Sequence, residues 1–97
     1  MPIRFLHPAQ IELDEAITYY NYEQPSLGDA LLSEVLKALD RIGEYPEAWP
    51  KLSSQTRRCI VRRFPYYIIY QVRATEILVV AFAHFHRKPD YWQDRIK

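Results

Sequence analysis

The stretch that most constrains this chain is Ile77 to Phe85, ILVVAFAHF, which is apolar without a break from Ile77 to Ala83. A half-buried strand alternates apolar and polar residues, whereas a short continuous apolar run reads as a strand shielded from water on both faces. The run is far short of the roughly 20 residues that a membrane-spanning helix needs. It is therefore expected at the centre of a sheet. Tyr66 to Arg73 supplies a neighbouring strand rich in β-branched and aromatic residues. Ala74-Thr75 separates the two at a length that suits a tight hairpin, though neither residue is the Gly or Asn that such turns favour. Cys59, Ile60 and Val61 centre a third strand, and Ile3 to Leu6 forms a short one at the N-terminus.

Between these strands lie two helical segments. The first spans about Pro8 to Tyr22, with Pro8 as its first residue, where a missing N–H costs nothing. Ala9, Leu13, Ala16, Ile17 and Tyr20 form its apolar face, and Glu12, Asp14 and Glu15 sit in early turns that favour negative charge. Pro25 breaks the helix, and Ser26 with Asp29 reads as a capping box for a second one. That helix spans about Leu27 to Ile42, with Leu31, Leu32, Val35, Leu36, Leu39 and Ile42 as its apolar face and Gly43 as its C-cap. Glu44 to Thr56 holds Pro46 and Pro50 and reads as an irregular connector. Pro89 to Lys97 closes the chain as a short helix or tail. The order is β-α-α-β-β-β plus that C-terminal element. It describes an α+β fold, an antiparallel helical hairpin packed on a mostly antiparallel twisted sheet, and 97 residues suit one domain over 1–97.

Charge is distributed unevenly. Residues 1–50 hold three Lys/Arg against nine acids, a net of −6, and residues 51–97 hold ten Lys/Arg against three acids, a net of +7. Such a split points either to one exposed, concave basic surface that meets an acidic partner or nucleic acid, or to two halves that pair with each other across the fold. Cys59 is the lone cysteine, which excludes an internal disulfide and favours a reducing compartment. No segment resembles a signal peptide, so a cytoplasmic protein is expected.

Arg57, Arg58, Arg62 and Arg63 flank the first strand of the C-terminal half. Regular alternation would put Arg58 and Arg62 on one side and Arg57 and Arg63 on the other. They read either as a phosphate- or partner-binding patch or as a charged edge that discourages aggregation. His84 and His86 share one side of the last strand. His84 suits a hydrogen bond within the core, and His86, nearer the strand's end, suits proton transfer. Two histidines without a third ligand do not make a metal site, and no metal or cofactor is expected. Arg87 lies just past the strand. Tyr91 and Trp92 could stack on a base or anchor the tail against the sheet.

In combination, Phe5 to Ala9 (FLHPA), Ala16 to Tyr20 (AITYY), Pro46 to Pro50 (PEAWP), Phe64 to Val72 (FPYYIIYQV) and His84 to Arg95 (HFHRKPDYWQDR) resemble the RelE/ParE toxins, especially their plasmid-stabilisation branch, over nearly the whole chain. That resemblance implies a growth-inhibiting toxin of a type II toxin–antitoxin system. A cognate antitoxin would wrap it with an extended segment and helices and mask its active surface. It also implies one of two targets, DNA gyrase, which such toxins bind and block, or messenger RNA on the ribosome, which others cleave without a metal. Arg87 matches the phosphate-stabilising arginine of the RNA-cleaving relatives, and Tyr91 falls near their C-terminal tyrosine. With His86 these make the candidate catalytic set, while Arg58, Arg62, Arg63, Tyr67, Trp92 and Arg95 form the candidate target- or antitoxin-binding set. The chain departs from the RNA-cleaving relatives on the first sheet strand, where Cys59 and Val61 replace a pair of lysines, and at Tyr67, which stands in place of an arginine. Those departures favour a toxin that acts by binding, with gyrase a candidate. A ribosome-dependent messenger RNA endonuclease is the alternative, and an inactive module that retains only antitoxin binding is a second.

Overall fold

The computed structural model describes residues 1–96. Strand β1 (Ile3–Phe5) leads into helices α1 (His7–Glu23) and α2 (Leu27–Glu44). Strands β2 (Arg57–Ile60), β3 (Tyr66–Val72) and β4 (Ile77–His84) follow, with a closing 3-10 turn at Gln93–Ile96. The expected tail from Pro89 matches that turn in part, and its last residue, Lys97, lies outside the described residues. The sheet order is β1-β4-β3-β2, with β1 parallel to β4 and the other two pairings antiparallel. β4 is thus interior, as its composition demands, and it is buried from Ile77 to Ala83.

Two cores sandwich this strand. On one face Ile77, Val79 and Phe82 pack with Ala9, Leu13, Ala16, Leu31, Val35, Ala38 and Ile42 of the helices. On the other, Leu78, Val80, Ala81 and Ala83 pack with Ile69 and Trp92. Strict alternation cannot give these sets, because Val80 and Ala81 fall on the same face. The cause is a register shift, with Ile69 opposite Ala81 but Tyr70 opposite Val79, which leaves Val80 as an extra residue. A bulge of this kind bends the strand and re-aims every side chain beyond it.

Several local expectations are corrected. His7 rather than Pro8 opens α1, so the first turn carries no acid, and Glu12 falls in the second turn. Ser26 precedes α2 in a left-handed conformation and makes no side-chain cap, so the capping box does not form. Its task passes to Asn21 of α1, whose Oδ1 accepts the Gly28 N–H at 2.7 Å. The helices approach so closely there that a Cβ on Gly28 would overlap the Ile17 carbonyl oxygen and the Asn21 amide. α2 continues through Gly43 to Glu44, and the cap is Tyr45, whose N–H reaches the Arg41 carbonyl. Its buried stripe runs through Gly28, Leu31, Val35, Ala38 and Ile42, leaving Leu32 and Leu36 exposed. The β3–β4 hairpin closes through the Arg73 N–H on the Glu76 carbonyl, around Ala74-Thr75. Neither of those residues takes positive φ, so the turn is not one of the primed types usual in such hairpins.

Arg57 explains the order of the proline-rich connector. Its Nη1 donates to the carbonyls of Glu47 and Trp49 at 2.9 and 2.8 Å, while the Tyr70 hydroxyl donates to the Pro46 carbonyl at 2.7 Å.

Candidate functional site

Past the buried part of β4 the chain turns at Phe85 and runs back under the sheet, so the start of β3, the end of β4 and the C-terminal segment converge. They enclose a small cavity of about 110 Å³ whose wall includes Arg58, Tyr67, His84, Phe85, Arg87 and Tyr91. β2 pairs Arg58 with Ile69, and the Arg58 guanidinium lies over the Tyr67 ring, 4.5 Å from its centroid. Tyr67 in turn packs on Phe85 at 4.6 Å. Across the cavity the Arg87 guanidinium sits 3.8 Å above the Tyr91 ring. Guanidinium over an aromatic face is a favourable arrangement that leaves the edge donors of the cation turned outward. The result is two cation–aromatic platforms facing one hollow, on a surface where Arg58, Phe85 and Arg87 are exposed.

One carboxylate holds this end of the molecule together. Glu12 projects from α1, where the spacing from Ala9 and to Ala16 places it beside the apolar stripe. Its side chain is mostly buried, at 16% exposure. Its two oxygens accept from Arg95 at 2.8 and 3.1 Å and from the Tyr91 hydroxyl at 2.6 Å. The same carboxylate accepts the Phe82 N–H at 3.2 Å, while Arg95 donates to the Val80 carbonyl at 3.0 Å. β1 ends at Phe5, opposite Val79, so the edge of β4 beyond that point lacks a strand partner. The Glu12–Arg95 pair takes its place, offering an acceptor and a donor where a strand would. Arg87 lies at the margin of the cluster, 4.0 Å from Glu12 and half-exposed.

This geometry separates the candidates. Arg58, Tyr67, Arg87, Tyr91 and Trp92 do meet at one cavity. Tyr91, however, is tied to Glu12, and burial, reinforced by that hydrogen bond, pushes its phenol well above the ordinary tyrosine range. This member of the candidate catalytic set therefore stands as a protonated phenol fixed in place by a carboxylate. Trp92 is buried, with its indole N–H on the Pro89 carbonyl at 3.1 Å, so it anchors the tail and offers no stacking surface. Arg95 is not a surface cation. It is locked in the Glu12 cluster at 19% exposure, its charge favoured first by the hydrogen bond to Glu12.

Arg62 and Arg63 lie outside the cavity. β2 ends at Ile60, and a turn closed by the Val61 N–H on the Tyr66 carbonyl carries both arginines, with Arg63 at φ 73°. Alternation therefore does not govern them. They border an open groove with Ile60, Phe64 and Phe85, continuous with the cavity through Phe85. His84 is partly buried at the cavity wall, edge-on to Tyr66 at 5.2 Å, and its Nδ1 accepts the His86 backbone N–H at 3.1 Å. His86 is exposed and does not line the cavity. Cys59 and Val61 are buried, and burial pushes the Cys59 thiol up.

The expected single basic concave surface is not what the fold makes. Arg95 is paired with the acidic half, and Arg73 and Arg4 share Glu76. Arg57 is bound to backbone carbonyls, and Arg58 and Arg63 lie over rings. Sequence reasoning also missed Glu12 and Phe85 as members of the site. Glu12 had a signal, its position three residues after Ala9 and four before Ala16. Phe85 read only as the end of a strand. Among the described residues no three His, Cys, Asp or Glu side chains group to hold a metal ion, and no helix is long and apolar enough to cross a membrane.

Comparison with known proteins places this architecture. The solved structure "Chromosomal ParDE TA system from P. aeruginosa" superposes with a TM-score of 0.68 over 87% of this chain and 95% of that one, at 14% identity, a likeness of fold. A Sinorhizobium fredii protein named "Putative toxin Y4kP" is 32% identical over 84 residues, 84% of this chain and 88% of its own length. The family model described as "ParE toxin of type II toxin-antitoxin system, parDE" matches residues 3–89. With a hairpin of helices on a four-stranded mixed sheet and a match spanning most of its length, the chain belongs to the ParE toxins of type II toxin–antitoxin systems, within the RelE/ParE superfamily.

Proposed function

We propose that this ParE-type toxin inhibits growth in the cytoplasm by binding an essential target, with DNA gyrase the candidate, through the surface of Arg58, Tyr67, Phe85 and Arg87, and that a cognate antitoxin neutralises it. The observation that carries this reading is the contrast between docking groups and proton carriers. The docking groups are two arginines stacked on tyrosines, with an exposed phenylalanine lining the same cavity. Arg and aromatic anchors of this kind dominate protein–protein binding energy. Of the groups that could move protons, Tyr91 is tied to Glu12 and the Nδ1 of His84 accepts the His86 backbone N–H, while the His86 ring is exposed and lies outside the cavity wall. The positions where RNA-cleaving relatives are expected to carry lysines are the buried Cys59 and Val61. Neutralisation is supported by apolar side chains left in water on both helices, Tyr19, Tyr22 and Leu36 at 56%, 87% and 54% exposure. An antitoxin that covers them would remove apolar surface from water.

A second reading, ribosome-dependent cleavage of messenger RNA, is favoured by one feature, the exposed His86 next to Arg87. The two part in paired assays on the full-length toxin. Inhibition of gyrase supercoiling, lost in Arg58→Ala and Tyr67→Ala but kept in His86→Ala, supports the binding reading. Cleavage of ribosome-bound message that His86→Ala abolishes, without any effect on gyrase, refutes it. Growth arrest relieved by co-expression of the neighbouring antitoxin gene checks the neutralisation, and absence of arrest identifies an inactive binding module.

A further inference from the structure

At the opposite end of β3 from the candidate site lies a larger cavity of about 510 Å³, which shares no lining residue with that site. Among the described residues three cations line it, Lys51, Arg57 and Arg73, against one acid, Glu47. Both guanidiniums are held by fixed partners. Arg57 is oriented by the Glu47 and Trp49 carbonyls, and Arg73 donates through Nε and Nη2 to the Gln71 Oε1 at 3.2 and 3.1 Å, with Glu76 at 3.8 Å from its Nη1. Among the described residues Lys51 and Arg57 have no carboxylate within ion-pair distance. Gln71, at 6% exposure, is one of only two buried polar residues in the chain's described core. Its amide nitrogen meets Gln55 Oε1 at 3.5 Å, the outer limit of a hydrogen bond, so a buried donor in the cavity wall is poorly satisfied.

From this geometry we infer that the cavity between the connector and the end of β3 binds the phosphate group of a nucleotide. Pre-oriented guanidiniums beside an ammonium and an amide donor match the several oxygens of a phosphate. The cavity exceeds what a bare phosphate fills and falls in the usual range for ligand sites, roughly 300–1,000 Å³. Gln55 and the hydroxyl of Ser54, also in the wall, suit the polar body of a nucleotide, while the Thr56 hydroxyl is taken up by Ser53. The phosphate can come from a free nucleotide or from a nucleic-acid backbone, and the two sources share this chemistry. The site does not depend on the target-binding surface proposed above.

The test is an amide NMR titration of the full-length protein at low salt with inorganic phosphate, AMP, a short oligoribonucleotide, and glutamate as a carboxylate control. Saturable shifts at Lys51, Gln55, Arg73 and the Gln71 side-chain amide are expected, weakened by about tenfold in each of Lys51→Ala and Arg73→Ala and unchanged in Arg87→Ala. Lys51 and Arg73 are exposed, so both variants should fold, and dispersed spectra verify that. Saturation by AMP assigns a free nucleotide and saturation by the oligoribonucleotide alone assigns a backbone phosphate, and either supports the inference. No shift at these residues up to about 10 mM ligand, equal binding of glutamate, or shifts that map to Arg58 and Arg87 would overturn it.

Discussion

Replacing Glu12 by Gln keeps the shape of the side chain and removes only its charge. In the native structure that charge faces Arg95, which is 19% exposed, and accepts the phenol of Tyr91 and the N–H of Phe82. The carboxamide offers one oxygen where the carboxylate offers two, so Arg95 loses its two-point contact and stays buried without a counter-charge. Removing one member of a buried pair typically costs about 3–5 kcal/mol. Partial retention of hydrogen bonds by the amide brings the expected loss here to about 2–4 kcal/mol. Against a total stability on the order of 5–10 kcal/mol for a chain of this size, that is a large fraction. It corresponds to a fall in Tm of roughly 10–25 °C. Denaturant unfolding of the full-length toxin with its Glu12→Gln variant gives the number, and an Arg95→Met change in the same background gives the control. The double variant should recover part of the loss, because the unpaired cation is then gone. If Glu12→Gln lowers Tm by less than about 4 °C, the cluster is not what fastens the C-terminal segment to the sheet.

Gly28→Ala should destabilise by about 1–3 kcal/mol, since the added methyl must push α2 off the Ile17 carbonyl. Thermal melts check it, and an unchanged Tm would show that the helix crossing is slack. Arg87→Ala should relieve toxicity while costing under about 1 kcal/mol, because its pairing with Glu12 is long and half in solvent. Growth assays beside melting curves separate the two effects. In alkaline spectrophotometric titration three of the eight tyrosines should ionise late. These are Tyr66, held by burial up to about 12, with Tyr70 and Tyr91 higher still. A phenol whose folded pKa is raised stabilises the fold below its unfolded pKa, about 10. That contribution is lost as pH rises through the folded value, so stability should fall above about pH 10. Tyr91→Phe should remove one late step, and an early step missing instead would contradict its burial.

The fold was legible in the order of its periodicities. Helical spacing over Ala9, Leu13 and Ala16 and the unbroken run from Ile77 are local patterns, and each names its own element. The pairing of Arg58, Tyr67, Arg87 and Tyr91 was legible only as a set of residue types. Their convergence depends on β2 and β3 being antiparallel and on the tail running back under the sheet. The missed caps have the same origin, since the α2 N-terminus draws its acceptor from Asn21 across the hairpin, not from Ser26 beside it.

By itself, then, the chain's pattern of apolar residues determined an interior β4, a helical pair and their order, because burial demand is written residue by residue. Only the tertiary structure decided where charge goes. The bulge at Val80 chose which face each residue past it would meet, and the unpartnered edge of β4 drew Glu12 and Arg95 inward to serve as a strand. Electrostatic pairing acts between groups 83 residues apart in sequence, so counting acids and bases in each half could give the net charges but not their meeting places.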